Sequence, residues 1–273
     1  MVTRRKFITD LTYSSAFLLS GGIRVLHHSE IELLRKKSIL RFALISDGHY
    51  GQPNTLSDEF FDKITQSLNL FHKENPLHHC FVNGDIIHDD GSLLQVTKLK
   101  LDKLAMPYYV TKGNHDKVSD AYWEKTWKMP VNIDFKIKKN SFLLMTTSNE
   151  KGEYLSPDLA WLEQRLEFHK KQKNVFLVLH IPQAKWTSNA IDTPAFFTLL
   201  DKYPNIRAGF HGHEHDQDGV KMHKHIPFLF DSHFGGNWGT EYKGFRVVEL
   251  LKDNSLLTYI MNPTTRIKDL VYK

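Results

Sequence analysis

The feature that most constrains the fold is an alternation, beginning at Leu40, of short apolar runs with longer segments of helical periodicity. The first run, Leu40 to Ser46, is short and continuous enough for a buried strand. After it, apolar residues recur at helical spacing at Phe60, Phe61, Ile64, Leu68 and Phe71. Ser57 is a candidate N-cap for this helix and Pro76 is a stop signal. Strands that alternate with helices need crossover connections, which predicts a largely parallel sheet.

The rest of the chain repeats this pattern and then changes towards its C-terminal end. Further strands are predicted at "CFVNG", "PYYV", "VFLVLH" and "IRAGFHG", and helices at Leu93 to Ala105, at "LAWLEQRLEFH" with Ser156-Pro157 as its N-cap, and around Phe196 to Leu200. Ser141 to Thr147 is predicted to form a hairpin with "FKIKK" across Asn140. The last runs, "IPFLF", "GFRVVELL" and "SLLTYIM", lack intervening helices and predict antiparallel additions to a sheet. With 273 residues, no repeat and no long linker, the chain is predicted to form one α/β domain.

Polar side chains follow five of the predicted strands at the point where each strand ends. The segments are Asp47-Gly48-His49, Gly84-Asp85, Gly113-Asn114-His115-Asp116, His180, and His211-Gly212-His213-Glu214-His215. In an open α/β sheet, ligands bind beyond the carboxyl ends of the strands, so these side chains are expected to face one crevice. Any one of them alone is more typical of a helix cap or a loop hydrogen bond. Together, they would repel one another or lack partners unless a cation lay among them.

The numbers of cysteines and histidines restrict which metal ions the site could bind. Cys80 is the only cysteine, which excludes a disulfide within the chain and a cysteine-based zinc site, whereas histidine occurs 16 times. Oxygen and nitrogen ligands without thiolates suit Zn, Mn or Fe. The net charge of +5 and the pI near 9.0 suit an anionic substrate as well as a solvated lysine-rich surface. No nucleic-acid-binding signature accompanies the basic residues, which argues against nucleic acid as the main partner.

The ordered set D-x-H, G-D, G-N-H-D, a lone histidine after a strand, and G-H-x-H resembles the motifs of the calcineurin-like metallophosphoesterases. The resemblance spans Asp47 to His215 and extends less specifically through the C-terminal strands. It implies an α/β fold of the metallophosphoesterase type, a four-layer αββα sandwich of two mixed β-sheets, over residues 39–273. It also implies a phosphoesterase with two metal ions (Mn, Fe or Zn) and a small phosphorylated substrate, either a phosphomonoester or a phosphodiester.

The same resemblance implies a role for individual residues. One metal ion is expected at Asp47, His49 and His215, the other at Asn114, His180 and His213, with Asp85 bridging the two. In the family's reaction, a hydroxide that bridges the metals attacks phosphorus in line. His115 is expected to assist the leaving group, and Asp116 to orient His115. No residue that binds the rest of the substrate is predicted.

The chain departs from the family pattern three residues after Asp85. His88 stands where many members have aspartate, or tyrosine in the purple acid phosphatases, and its role is left open between a partner of the site and an exposed side chain. The missing tyrosine, together with His49, argues against the purple subgroup. The arginine that protein phosphatases place shortly after this motif is also missing. The pattern therefore lies nearer the small phosphodiesterases of the cyclic-nucleotide type.

Two other functions stay open on the sequence. A nuclease of the same fold would need a basic groove with stacking aromatic side chains. The candidates for such stacking are Trp123, Trp127, Trp186 and Trp238, although core packing is the commoner role. A metal-binding member without turnover is the second alternative, and His115 argues against it because only catalysis needs that side chain.

The N-terminal segment, residues 1–38, resembles an export signal and is set aside from the fold. Arg4 and Arg5 in "TRRKFI" precede a short, moderately apolar stretch, "LTYSSAFLLSGG", as in twin-arginine signals. This predicts an exported, periplasmic protein. A basic tail on a cytoplasmic protein is the alternative, and no clear A-x-A cleavage site follows. The stretch is too short and too polar for a membrane-spanning helix, so no stable transmembrane anchor is expected.

Overall fold

Two β-sheets face each other, and helices cover their outer surfaces. The computed structural model describes residues 12–20, 22–26 and 28–262 of the chain. The strands are β1 (Thr12–Leu19), β2 (Ile23–Val25), β3 (Ser38–Ile45), β4 (His79–Asn83), β5 (Tyr108–Thr111), β6 (Ile133–Ile137), β7 (Asn140–Met145), β8 (Asn174–Leu179), β9 (Ile206–His211), β10 (Val220–His223), β11 (Ile226–Phe230), β12 (Phe245–Leu251) and β13 (Leu256–Asn262). The helices are α1 (His28–Arg35), α2 (Ser57–Glu74), α3 (Leu94–Leu101), α4 (Asp120–Trp127), α5 (Leu159–Phe168) and α6 (Pro194–Leu200).

Both sheets are mixed, as predicted. The seven-stranded sheet has the order β2-β1-β13-β12-β3-β4-β5, in which β3, β4 and β5 run parallel and the other pairs are antiparallel. The six-stranded sheet has the order β10-β11-β9-β8-β7-β6, with a parallel centre from β11 to β7 and an antiparallel strand at each edge. Each sheet therefore presents a set of parallel strand ends at one edge.

Strand β3 shows how the layers arise from the sequence. Successive side chains of a strand point to opposite faces. Phe42 points into the cluster between the two sheets, where its ring lies 5.2 Å from that of Phe142 and 5.4 Å from that of Phe176. Ala43 and Ile45 point the other way, into the core under the helices of the seven-stranded sheet. A strand buried on both faces is held firmly, which makes its carboxyl end a rigid support for a site.

The helices complete the four layers. Helix α2 places Phe61, Ile64 and Leu68 against the seven-stranded sheet. On the opposite side, Leu162 of α5 and Phe196 of α6 pack against the six-stranded sheet. The predicted four-layer αββα sandwich is confirmed. No helix in the described part of the chain is both long and apolar enough to cross a membrane.

Part of the segment that the sequence analysis set aside belongs to the fold. Strand β1, within the predicted export signal, pairs antiparallel with β13, and Leu19 is buried. Arg207 donates a hydrogen bond from Nη2 to the Leu19 carbonyl, 2.7 Å away. Excluding residues 12–19 from the fold was therefore wrong, because a short stretch of aromatic and aliphatic residues also suits a half-buried strand. The two arginines of the predicted signal lie outside the described residues.

Several local predictions also need correction. The N-cap of α5 is Asp158, whose Oδ1 accepts hydrogen bonds from the amides of Ala160 and Trp161, and Ser156 does not have that role. Ser57 is the first residue of α2 and makes no side-chain cap. Strand β11 pairs parallel with β9, so only part of the C-terminal region is antiparallel. Helix α4 was not predicted, because its few apolar residues form no clear helical period.

Candidate metal centre

The predicted site residues come together where the parallel strands of both sheets end. Asp47, Asp85 and Asn114 follow β3, β4 and β5 of the seven-stranded sheet. His180 follows β8 of the six-stranded sheet, and His213 and His215 follow β9. Two firmly packed sheets therefore supply opposite halves of one cluster.

A first group of possible metal ligands consists of Asp47, His49 and His215, whose ligand atoms all lie within 4.8 Å of one another. The Nε2 atoms of His49 and His215 are 2.9 Å apart, and His215 Nε2 is 3.2 Å from Asp47 Oδ1. His215 donates its Nδ1 proton to the carbonyl of Trp238, 3.2 Å away. Its Nε2 lone pair is therefore turned towards the cluster, as a metal ligand requires.

A second group consists of Asp85, His180 and His213, again within 4.8 Å. His180 donates from Nδ1 to the carbonyl of Asn83 at 2.7 Å, so its Nε2 faces Asp85 Oδ2 at 3.2 Å. Asp85 Oδ2 also lies 3.6 Å from His49 Nε2, a member of the first group. Asp85 thus stands between the two groups, where the family pattern places the bridging carboxylate.

Three buried polar atoms in or beside the second group make no hydrogen bond within the described residues. They are Asn114 Oδ1, His213 Nε2 and His180 Nε2, the last of which lies 3.2 Å from Asp85 Oδ2 without forming a hydrogen bond. A buried acceptor without a partner costs on the order of 1–3 kcal/mol. Three such atoms beside the Asp85 carboxylate fit a cation that accepts their lone pairs, because a cation would satisfy all of them at once.

Local backbone strain marks the same residues. Four non-glycine residues of the cluster have positive φ angles: Asp47 (57°), His49 (43°), Asp85 (51°) and His213 (71°). Such conformations cost on the order of 1–3 kcal/mol each and tend to persist at functional sites. Gly113 is required for a different reason, since a Cβ at this position would lie 2.2 Å from Asp85 Oδ1. The loops are therefore shaped around the cluster of ligand atoms.

The charges of the cluster favour a bound cation. Burial acts to raise the pKa of Asp47, but the charges of His215 and His180 outweigh it and lower the pKa to about 2. The pKa of Asp85 lies well below its usual range, because nearby histidines, above all His180, outweigh the effect of burial. Burial acts to lower the pKa of His180, yet the two carboxylates raise it to about 10. Both aspartates are ionised at neutral pH and hold a proton on His180, so a bound cation would take the place of that proton and leave His180 Nε2 free as a ligand.

His115 lies beside these groups, and its partner differs from the predicted one. The His115 backbone amide donates to Asp85 Oδ1 at 2.7 Å, and its ring Nδ1 lies 2.9 Å from Asp89 Oδ1. Asp116 does not contact the ring. Its carboxylate instead accepts hydrogen bonds from the amides of Ile87 at 3.0 Å and Gly113 at 2.9 Å. The prediction that Asp116 orients His115 is therefore wrong, since both oxygens are turned back to the loop backbone.

A sequence model of the calcineurin-like phosphoesterase family matches residues 40–217, a stretch that contains every predicted ligand. The chain belongs to this family. The predicted resemblance is thereby confirmed, and so is the fold that it implied. A comparison with curated protein sequences gave no match.

Solved structures show the same fold as this calcineurin-like phosphoesterase. A dimetal phosphatase from Danio rerio is 13% identical, covers 84% of this chain and 98% of its own, and has a TM-score of 0.66. GAP50 of Plasmodium, described as the anchor in the inner membrane complex, is 15% identical, covers 83% of this chain and 85% of its own, and has a TM-score of 0.60. Bacillus subtilis YfkN, a calcineurin-like phosphoesterase, is 13% identical, covers 85% and 94%, and has a TM-score of 0.54. At these identities the likeness concerns the fold.

Four tryptophans were candidates for a stacking groove. Within the described residues, Trp238 is the only one of the four that contacts a residue of the two ligand groups. Its ring is half-exposed and lies parallel to that of His215, with centroids 4.1 Å apart. Trp123 and Trp127 are buried in the core under α4. Trp186 packs against the outer face of the six-stranded sheet. Core packing thus accounts for most of these rings.

Two further neighbours of the site, Tyr154 and Asp89, were not predicted from the sequence. Tyr154 meets the ring of His213 edge to face, with centroids 4.9 Å apart, and is partly exposed. Asp89 contacts the ring of His115, and its Oδ1 also lies 2.9 Å from Lys117 Nζ. Asp89 directly follows His88 in "GDIIHDDG", so a shift of the family's carboxylate by one position was the signal available in the sequence.

Proposed function

We propose that the protein is a metal-dependent hydrolase of phosphoester bonds that uses two metal ions. The observation that carries this proposal is the position of Asp85 between two groups of buried ligand atoms, with three buried polar atoms in or beside the second group that make no hydrogen bond within the described residues. Asp47, His49, His215 and Asp85 would hold one ion, and Asp85, Asn114, His180 and His213 the other. The oxygen and nitrogen ligands suit Mn, Fe or Zn.

Bound metal ions in such a site supply a nucleophile at neutral pH and offset charge on the phosphoryl oxygens. The chain itself holds the ligands in place before the substrate arrives. The backbone amide of His213 donates to Asp47 Oδ2 at 3.0 Å, and that of His115 donates to Asp85 Oδ1 at 2.7 Å. The His213 amide also reaches Asp47 Oδ1 at 3.2 Å, and these bonds hold Asp47 Oδ1 and Asp85 Oδ2 beside the histidines of the cluster, so little reorganisation is needed during the reaction.

His115 is the proposed proton donor to the leaving oxygen. Its side chain is partly exposed beside the two ligand groups, and Nδ1 is occupied by Asp89. Because Asp89 occupies Nδ1, Nε2 is the nitrogen from which His115 would deliver a proton to the leaving group. A general acid of this kind typically contributes about 10²–10⁴-fold in rate.

The proposed substrate is a small phosphomonoester or phosphodiester. The half-exposed rings of Trp238 and Tyr154 lie against ligand residues from the two groups, where they can contact the organic part of a bound ester. The dimetal phosphatase from Danio rerio shares this fold over nearly all of its chain. A role without turnover is the alternative, since the Plasmodium protein of the same fold is described as an anchor.

A substrate panel separates these possibilities. Chelated protein and protein reconstituted with Mn, Fe or Zn are assayed with a nitrophenyl phosphomonoester, a nitrophenyl phosphodiester, cyclic nucleotides and single-stranded DNA. We expect hydrolysis of a small ester only in the reconstituted samples. Hydrolysis of DNA in preference to every small ester would identify a nuclease. Metal binding without turnover on any member of the panel would favour the non-catalytic alternative.

We also propose that the protein is exported, on the basis of Arg4 and Arg5 and the apolar stretch that follows them. Changing both arginines to lysine should keep the protein in the cytoplasm of its host, whereas the native chain should appear in the periplasmic fraction. Identical fractionation of the two proteins would contradict export by this signal.

A further inference from the structure

His88 contacts both a proposed metal ligand, His49, and the proposed proton donor, His115. Its Nδ1 is 3.0 Å from Nδ1 of His49. Its ring also stacks on that of His115, with centroids 4.7 Å apart and an interplanar angle of 11°. Nothing in the proposed mechanism uses this side chain, although it touches two residues that the mechanism depends on.

The partners of His49 decide which atom carries the hydrogen between the two rings. His49 Nε2 faces Asp85 Oδ2 at 3.6 Å and His215 Nε2 at 2.9 Å, so this nitrogen is the one that would bind a metal ion. A metal-binding nitrogen must present its lone pair, and the proton of the neutral ring is then on Nδ1. His49 Nδ1 therefore donates to His88 Nδ1, which acts as the acceptor that fixes the orientation of His49.

Backbone hydrogen bonds hold the two rings at this separation. The amide of Tyr50 donates to the carbonyl of Ile86, and the amide of His88 donates back to the carbonyl of Tyr50, each at 2.9 Å. On the far side, the amide of Asp89 donates to the carbonyl of His115 at 3.0 Å. The segments that carry His49, His88 and His115 are thus tied to one another, and the contacts between the rings follow from the backbone.

We propose that His88 is a positioning residue with two separable roles. Its Nδ1 orients the metal ligand His49, and its ring surface orients His115. This proposal rests on the proposed function, because it assigns His88 a part in the same metal-dependent reaction. It concerns a position at which the chain departs from the family pattern, with histidine in place of aspartate or tyrosine.

Two substitutions separate the roles. In His88→Asn the side-chain oxygen can replace Nδ1 as acceptor, but the ring is lost. In His88→Phe the ring is kept, but the acceptor is lost. His88 is partly exposed, so neither change disrupts the core. His225→Asn and His225→Phe are matched controls, because His225 is an exposed histidine in the turn between β10 and β11.

The first measurement is metal affinity, determined by titrating the chelated protein with Zn or Mn against a competing chelator. We expect His88→Phe to bind one of the two ions about 10–100-fold more weakly than the native chain, the usual effect of losing a partner of a metal-binding histidine. His88→Asn should bind both ions with nearly native affinity. Binding of a third ion that is lost in both variants would make His88 a ligand and overturn the proposal.

The second measurement is the ratio of rates on an alkyl and a nitrophenyl phosphoester at saturating metal. His88→Asn should lower this ratio about tenfold, because a poorly held His115 affects the poor leaving group most. His88→Phe should keep the ratio. Equal effects of the two variants on both measurements, or no effect of either, would overturn the proposal. If the native protein hydrolyses neither ester, the proposed function fails, and the metal titration alone decides: unchanged affinity in His88→Phe overturns the proposal.

Discussion

His115 is the residue whose role can be tested most selectively, because it lies beside the proposed metal ligands without belonging to them. We expect His115→Ala to retain both ions and to lose about 10²–10⁴-fold in rate on an alkyl phosphoester. The loss on a nitrophenyl ester should be much smaller, since nitrophenolate leaves without a proton. Rates on both esters and elemental analysis of the same sample check this. Equal losses would show that His115 stabilises the phosphoryl oxygens instead, and loss of a metal ion would make it a ligand.

Asp89 and Asp116 offer a matched pair of substitutions. Asp89→Asn removes the charge beside the His115 ring. It should therefore reproduce the leaving-group dependence of the alanine variant in a weaker form, with both metal ions retained. Asp116→Asn places an amide nitrogen or a weaker acceptor opposite the amides of Gly113 and Ile87, so it should disturb the loop and weaken metal binding. If Asp116→Asn instead changed the leaving-group dependence and Asp89→Asn weakened metal binding, Asp116 would be the partner of His115.

The sequence could place the site residues at strand ends but could not show where each side chain turns. Asp85 and His180 were predicted because buried strands lead directly into them. Asp116 was given the wrong partner, because a carboxylate three residues after Gly113 can fold back onto that glycine's own amide. Asp89 was missed for the complementary reason: its contact with His115 joins two loops, and such contacts leave no periodic pattern.

The burial of His79 in strand β4 can be tested through the pH dependence of stability. His79, the first residue of β4, is buried among aromatic rings that include Phe81 and Phe142, and its Nε2 has no partner in the described part of the chain. Burial lowers the pKa of His79 to about 4, against an ordinary value of 6.5. The neutral ring is therefore the form that the folded protein accommodates.

The pH dependence follows from that shift. Above pH 6.5 neither the folded nor the unfolded chain protonates His79, and its contribution to stability is complete. As the pH falls from 6.5 towards 4, the unfolded chain binds a proton that the folded chain cannot, which lowers the free energy of unfolding by roughly 2–3 kcal/mol. We expect His79→Phe to gain stability over the native chain in that interval, in urea unfolding of chelated protein. If the free energy of unfolding of His79→Phe and of the native chain changed in parallel from pH 7 to pH 4, this expectation would be contradicted.

Local sequence patterns predicted some strands and missed others. Strands buried on both faces, such as β3 and β8, were predicted from continuous apolar runs. The N-terminal strand β1 was assigned to a signal, because a short stretch of mixed polarity is compatible with either role and only its pairing with β13 distinguishes them. Pairing partners far apart in the chain are the information that a local pattern lacks.

At the scale of the whole molecule, the four-layer fold brings two sheets together so that their parallel strands end at one cluster. The order of the motifs predicted this architecture through its resemblance to a known family, and the composition excluded thiolate sites. Neither could indicate which rings lie at the cluster. The ring of Trp238 lies at the cluster, against His215, although Trp238 follows the last strand of the six-stranded sheet and belongs to none of the motifs.

We propose that hydrolysis of a phosphoester depends on two metal ions that share Asp85 as a ligand. The most direct measurement titrates chelated protein with Mn or Zn while recording bound ions per chain and the rate on a nitrophenyl phosphoester. We predict that substantial activity appears only as the second ion binds, and that Asp85→Asn lowers both the number of bound ions and the rate by orders of magnitude. Full activity in the metal-free chain, or a rate that is complete with one ion bound, would contradict the account.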